Sequence, residues 1–198
     1  VHEVLPHLEK SGDSFYKLLA FERLGDLCIP DNVVHVGVDY DLVTNAIAYY
    51  HEALEIAKRL KIPEYEVELS TKLSHHLDDI EQKIHFAEQG LNVARQLDDV
   101  QLLGLALYEL GRAYTLAIKP IESERCFKEL LALNPPIHIK AQVLVYLGGI
   151  YLALGSLDDA QTTVKNTIEL VQQMEFPSSS LIWIKKSCFC LLYTSPSP

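Results

Sequence analysis

The chain has 198 residues, 48% of them apolar, and a formal net charge of −10 from 17 basic and 27 acidic side chains. That composition supports a packed core and excludes a disordered tail or a membrane protein, since the apolar runs fall far short of the roughly 18 residues of a spanning helix. The acidic balance argues against direct binding to nucleic acid or a membrane surface, which needs a basic patch, and leaves room for a basic partner. The four cysteines show no CxxC or zinc-type spacing. Cys28 and Cys126 fall on expected helices as small buried hydrophobes, so a reducing, intracellular setting, cytoplasmic or nuclear, is expected.

In chain order, residues 1–13 read as the end of an earlier helix, and Ser14 to Ile29 as a helix that Pro30 stops. Residues 30–40 form a loop made apolar by Val33, Val34, Val36 and Val38. It is expected to fold back over the helix ends, with a binding element as the alternative. Asp41 can accept free backbone amides and cap a helix running to Leu60. Pro63 precedes a helix expected from Tyr65 to Leu77. Asp78-Asp79-Ile80-Glu81 reads as a cap with a carboxylate three residues on, opening a helix to about Leu97. Asp98-Asp99 begins the next helix, and Pro120 suits the first position of the one that follows. Ser156-Leu157-Asp158-Asp159 is a further capping pattern. Pro177 and Ser178-Ser179-Ser180 mark the last turn.

The helices come in pairs with a recurring signature. Leu107, Leu110 and Tyr114 stand at i, i+3 and i+7, on one helix face. Gly111 lacks a side chain, so a second helix can approach there, and Phe127 from that helix fills the gap. Pro135 closes the unit. Leu144, Leu147, Gly148 and Tyr151 repeat the signature, followed by Gly155, Ala160 and Val164. Upstream, Phe21, Leu24, Gly25 and Cys28 open another copy, with Ala46, Tyr50 and Ala53 in its second helix. A weaker copy has Leu69, Leu73 and Leu77, with Ser74 in the glycine position and Gly90 and Leu91 in its second helix. One such pair cannot bury its apolar face alone, so copies are expected to stack.

This pattern resembles the tetratricopeptide repeat, a helix–turn–helix unit of about 34 residues. The resemblance implies an all-α fold, a right-handed α-solenoid of stacked antiparallel helix pairs. It sets the expected organisation: 1–13, the end of a truncated preceding repeat; 14–62, repeat one with its insertion at 30–40; 63–98, a degenerate repeat two; 99–136, repeat three; 137–176, repeat four; and 181–189, the truncated start of a fifth. Residues 190–198, from Cys190 to Pro198, resemble one reading frame of a sequencing-library adapter and are set apart from the fold.

The resemblance also implies that first helices line a concave surface and bind from positions around the Leu-Gly pair. Carried over, these are Leu19, Glu22, Asp26 and Ile29; Glu68, Thr71, His75 and Asp78; Leu105, Tyr108, Arg112 and Thr115; and Gln142, Val145, Gly149 and Leu152. The candidate partner-binding set is Glu22, Asp26, Glu68, Thr71, His75, Tyr108, Arg112, Val145 and Leu152. Repeats that clamp a C-terminal carboxylate use Lys and Asn at such positions, and this chain has neither there. The expected activity is therefore that of an interaction scaffold for a protein or peptide, basic or helical. The alternative is a helical-repeat arm that positions a missing effector domain or self-associates through truncated ends.

No enzyme, cofactor or metal is expected. His75 and His76 are adjacent, so on a helix they point about 100° apart, which does not suit a shared metal ion. The Asp-Asp pairs at 78–79, 98–99 and 158–159 sit at helix starts, where negative charge is favourable. No Gly-rich phosphate loop, nucleophile elbow or HExxH is present.

Overall fold

The structure, a computed structural model, describes residues 14–29 and 40–172. The expected preceding repeat at 1–13, the insertion at 30–40 apart from Tyr40, the expected fifth repeat at 181–189 and the tail at 190–198 lie outside the described residues. Eight α-helices, and no strand, make up the regular structure of the described residues: α1 Ser14–Cys28, α2 Tyr40–Leu60, α3 Pro63–His76, α4 Ile80–Ala94, α5 Val100–Leu116, α6 Pro120–Ala132, α7 Ile137–Ala153 and α8 Leu157–Gln172. They pack as sequential antiparallel pairs, which is the architecture of a tetratricopeptide array. The chain forms two compact units, Val1–Glu109 and Leu110–Pro198, with the boundary inside α5.

Local chemistry sets the helix ends. Pro63 and Pro120 each occupy the first helical turn, where a missing amide proton costs nothing. α3 therefore starts at Pro63 rather than at Tyr65. The Asp79 carboxylate accepts the Gln82 amide at 2.8 Å, and Asp99 accepts those of Gln101 at 2.8 Å and Leu102 at 3.0 Å. α4 ends at Ala94, short of Leu97, because the backbone tightens into bonds from Gln96 to Val93 and from Leu97 to Ala94. Lys83 on α4 reaches back to donate to the terminal carbonyls of Ser74 and His75, at 3.1 and 3.0 Å, and so caps α3.

In the first unit, Leu18 of α1, Tyr50 and Leu54 of α2, and Leu69 and Leu73 of α3 form one buried cluster. Gly25 admits the Tyr50 ring, which occupies the space that a Cβ would need. The degenerate pair solves the same problem from the other side. Ser74 stands in the usual glycine position, and the close approach is made by Gly90 on α4, where a Cβ would lie 3.3 Å from that of Ser70. The Ser70 hydroxyl is buried there without a hydrogen-bond partner.

In the second unit, Gly111 faces Phe127, and a Cβ would lie 2.6 Å from Cε1 of that ring. The Ser123 hydroxyl donates to the Gly111 carbonyl at 2.8 Å, and Thr115 Oγ1 lies 2.7 Å from Ser123 Oγ. The buried Phe127 ring stacks on Tyr146 of α7 at 5.2 Å between centroids. Ala141 and Val145 of α7 pack with Val164 and Val171 of α8.

The glycines therefore separate into two kinds. Gly111→Ala drives a methyl into a fixed ring and is expected to cost about 2 kcal/mol. Gly149, in mid-helix with nothing within 4 Å of a built Cβ, is expected to gain about 0.5–1 kcal/mol as alanine. Ser70→Ala removes an unsatisfied buried hydroxyl and is expected to gain about 1 kcal/mol. Urea-unfolding midpoints of the three variants check the signs.

Candidate partner-binding face

Glu22 and Asp26 stand at i and i+4 on α1, so both carboxylates lie on one face of that helix. Lys72 of α3 bridges them. Its ammonium donates to Glu22 Oε1 at 2.8 Å and to Asp26 Oδ1 at 2.7 Å. The Tyr50 hydroxyl, on the ring that fills the Gly25 gap, donates to the same Asp26 oxygen at 3.0 Å. Arg23 reaches the other Asp26 oxygen at 3.4 Å from an exposed position. Glu22 is only 6% exposed, so it is a charge that the fold must neutralise.

The protonation equilibria follow. Burial works against the Lys72 ammonium, but its hydrogen bonds to Asp26 and Glu22 outweigh that and hold it above the ordinary lysine range. Burial, then the Asp26 carboxylate, pushes the Tyr50 phenol far above its ordinary value. Glu68, one turn before Lys72 on α3, has its carboxyl raised by burial and then by the Glu22 charge, against the opposing pull of Lys72. Burial, then Glu22 and Glu68, also raises the Tyr65 phenol. Three carboxylates thus gather around one ammonium, which hydrogen-bonds two of them.

The remaining expected residues sort by burial. Thr71 is buried, and its hydroxyl donates to the Glu68 carbonyl at 2.7 Å within its own helix. Val145 is 7% exposed and belongs to the α7–α8 core. His75 is half-exposed, with Nδ1 3.3 Å from the buried Glu109 carboxylate of α5. Tyr108, Arg112 and Leu152 are half-buried. The structure brings Glu22, Asp26 and Glu68 together around Lys72, and His75 to Glu109.

Lys72 and Glu109 escape the sequence reading. Each sits beside an expected residue in the chain, but its partner is dozens of positions away, and no local pattern encodes the pairing. The i, i+4 spacing of Glu68 and Lys72 was the available signal, since it puts a cation on the same face as the acids. Among the described residues, no group of three or more His, Cys, Asp or Glu is placed to hold a metal ion, and no helix is long and apolar enough to cross a membrane.

No protein-family profile and no curated protein sequence matches the chain. Solved structures do. BtubC (BKLC) from P. vanneervenii superposes with a TM-score of 0.69 at 17% identity, covering 85% of this chain and 69% of that one. TTC0263, a thermophilic TPR protein of Thermus thermophilus, superposes with a TM-score of 0.49 at 18% identity, covering 89% of each chain. The paired helices, the glycine–aromatic approaches and the likeness to BtubC define a helical-repeat fold of the tetratricopeptide type.

Removing Lys72 strands a buried carboxylate. Lys72→Met is expected to cost about 2–3 kcal/mol, and adding Glu22→Gln to it should restore part of that, which a double-mutant cycle of urea unfolding would measure. The folded-state values of Lys72 and Tyr50 are raised. Their stabilisation is therefore complete below the ordinary values and lost as pH rises through the folded ones. An alkaline fall in the melting temperature is expected for the wild type and should be shallower in Lys72→Met.

Proposed function

We propose that this chain is a non-catalytic interaction scaffold whose first-helix face binds a basic peptide, at a site formed by Glu22, Asp26 and Glu68 around Lys72 and extended by His75 and Tyr108. The observation that carries the reading is the sharing of the Lys72 ammonium between Glu22 and Asp26, beside a third acid, Glu68. Its carboxyl sits above its ordinary range because burial and Glu22 disfavour its charge, while the one ammonium at hand is already shared by Glu22 and Asp26. A lysine or arginine brought to this face supplies the missing positive charge. Aromatic and arginine side chains such as Tyr108 and Arg112 suit anchoring contacts. Arg112 and Leu152 lie on first helices of the second unit and are its proposed contacts. Thr71 in the first unit and Val145 in the second are buried, each within its own unit. Cys28 and Cys126, neither of them in a disulfide, fit a reducing compartment, cytoplasmic or nuclear.

Glu68 allows a test that does not disturb the fold. Glu68→Gln removes a charge that the folded state disfavours, so the melting temperature is expected to hold or rise by up to about 3 °C. Affinity for a fluorescein-labelled lysine/arginine-rich peptide is expected to fall about fivefold in anisotropy titrations. Wild-type affinity should weaken with salt. It should also weaken as pH drops through the raised Glu68 range, because protonation removes the attracting charge, and the variant should lack that pH step. A variant that binds as tightly as wild type, with the same pH and salt profile, would remove the support for this site.

A further inference from the structure

Glu22 is buried, at 6% exposure, yet one of its carboxylate oxygens is left over. Lys72 holds Oε1 at 2.8 Å, and Oε2 makes no hydrogen bond with the described residues. That oxygen still reaches solvent, since Ser70 Oγ is the fully buried side-chain atom without a partner among the described residues. The Glu68 carboxylate makes no hydrogen bond with the described residues either, nor does the Tyr65 hydroxyl one turn before it. The Glu22 and Glu68 charges both act on that hydroxyl. Tyr65, Glu68 and Lys72 stand at i, i+3 and i+7 on α3, and Phe15 and Glu22 at i and i+7 on α1. The two rows meet, through Phe15 and Tyr65 at one end and Glu22 and Lys72 at the other.

The Phe15 and Tyr65 rings lie 6.2 Å apart at 89°, an edge-on corner, and Phe15 is 40% exposed. A flat group laid on one ring of such a corner meets the edge of the other. The charges that bear on Glu68 are those of Glu22, Lys72, Asp26 and Arg23. Neither cation satisfies the spare oxygens. Lys72 is committed to Glu22 Oε1 and Asp26 Oδ1, and Arg23, 74% exposed, turns to the other Asp26 oxygen at 3.4 Å. Lys17, Glu64 and Glu66 complete the charged side chains of the two helices, histidines aside, and leave acids in excess.

We propose, resting on the basic-peptide reading of this face, that it selects arginine over lysine: a partner's guanidinium lies in the Phe15–Tyr65 corner and donates to Glu68 and to Glu22 Oε2. The unmade acceptors belong to two carboxylates beside a flat apolar surface. A guanidinium presents its five N–H donors in one plane, so it can reach both acids while its face covers a ring. An ammonium concentrates its charge at one strongly hydrated point, and Lys72 already fills the point between Glu22 and Asp26 that suits it. The rings add the attraction of an aromatic face for a cation, which arginine exploits more often than lysine.

Three fluorescein-labelled peptides test this, identical except that their basic positions carry arginine, lysine or citrulline, which keeps the shape of arginine without its charge. In anisotropy titrations of the full chain, the arginine peptide is expected to bind about tenfold more tightly than the lysine peptide, and the citrulline peptide most weakly. Proton spectra should show the arginine side-chain signals moving upfield on binding, as a group lying over a ring requires. Phe15→Leu should cut the arginine preference to about twofold and leave lysine affinity unchanged. Glu68→Gln should weaken both, arginine the more. The wild-type ratio needs no variant, so the test holds even where Phe15→Leu loses its fold. Equal affinity for arginine and lysine, both weakened by Glu68→Gln, would overturn the arginine subsite and leave the acidic face in place. Binding of both that ignores Glu68→Gln would remove the acidic face and this inference with it. A citrulline peptide that matches arginine, or an arginine preference that a folded Phe15→Leu retains in full, would also overturn the proposal.

Discussion

Two helices of a pair can bury their faces only if their axes come close, and in this chain the approach depends on glycines set against large or fixed neighbours. At Gly25 and Gly111 an aromatic ring from the second helix lies where a Cβ would be, and both rings are almost fully buried. The consequence extends past the pair. Phe127, seated against Gly111, presents its other face to Tyr146 of the next helix. The first unit shows the same continuity, since Leu18, Tyr50, Leu54, Leu69 and Leu73 form a single cluster over three helices. Within each unit, burial thus runs from one pair into the next, which is the physical basis of a repeat architecture.

Charge follows packing here. Glu22 would be costly at its level of burial if it stood alone, and Lys72 arrives only because α3 packs beside α1. The same ammonium serves Asp26, so a residue of the second repeat neutralises two of the first. What remains is a face with more carboxylates than cations, and Glu68 carries the excess as a disfavoured charge.

Much of the fold is legible in the sequence because its determinants are local. The Leu-Gly signatures, the aspartate caps at Asp79 and Asp99 and the prolines at helix starts each act within a few residues. The degenerate pair is harder to read, since its close approach comes from Gly90 on the opposite helix, which the signature does not specify. The site was only partly legible. Helical register correctly places Glu22, Asp26 and Glu68 on first helices, but register does not report depth, so Thr71 and Val145 look equivalent to them and are core residues instead. The partnerships of Lys72 and Glu109 depend on which helices are neighbours, information that no short window contains.

Tyr50 joins two roles that are usually held by different residues. Its ring is the wedge that fixes the spacing of α1 and α2, and its hydroxyl, at the far end of the same rigid group, holds one oxygen of Asp26. The distance between helices and the position of the part-buried Asp26 carboxylate are therefore set by one side chain. A lineage of such chains could not resize this part of its interior without also moving the carboxylate that Tyr50 holds. The charge pattern of α1 would then drift in step with packing, even if no surface residue were replaced.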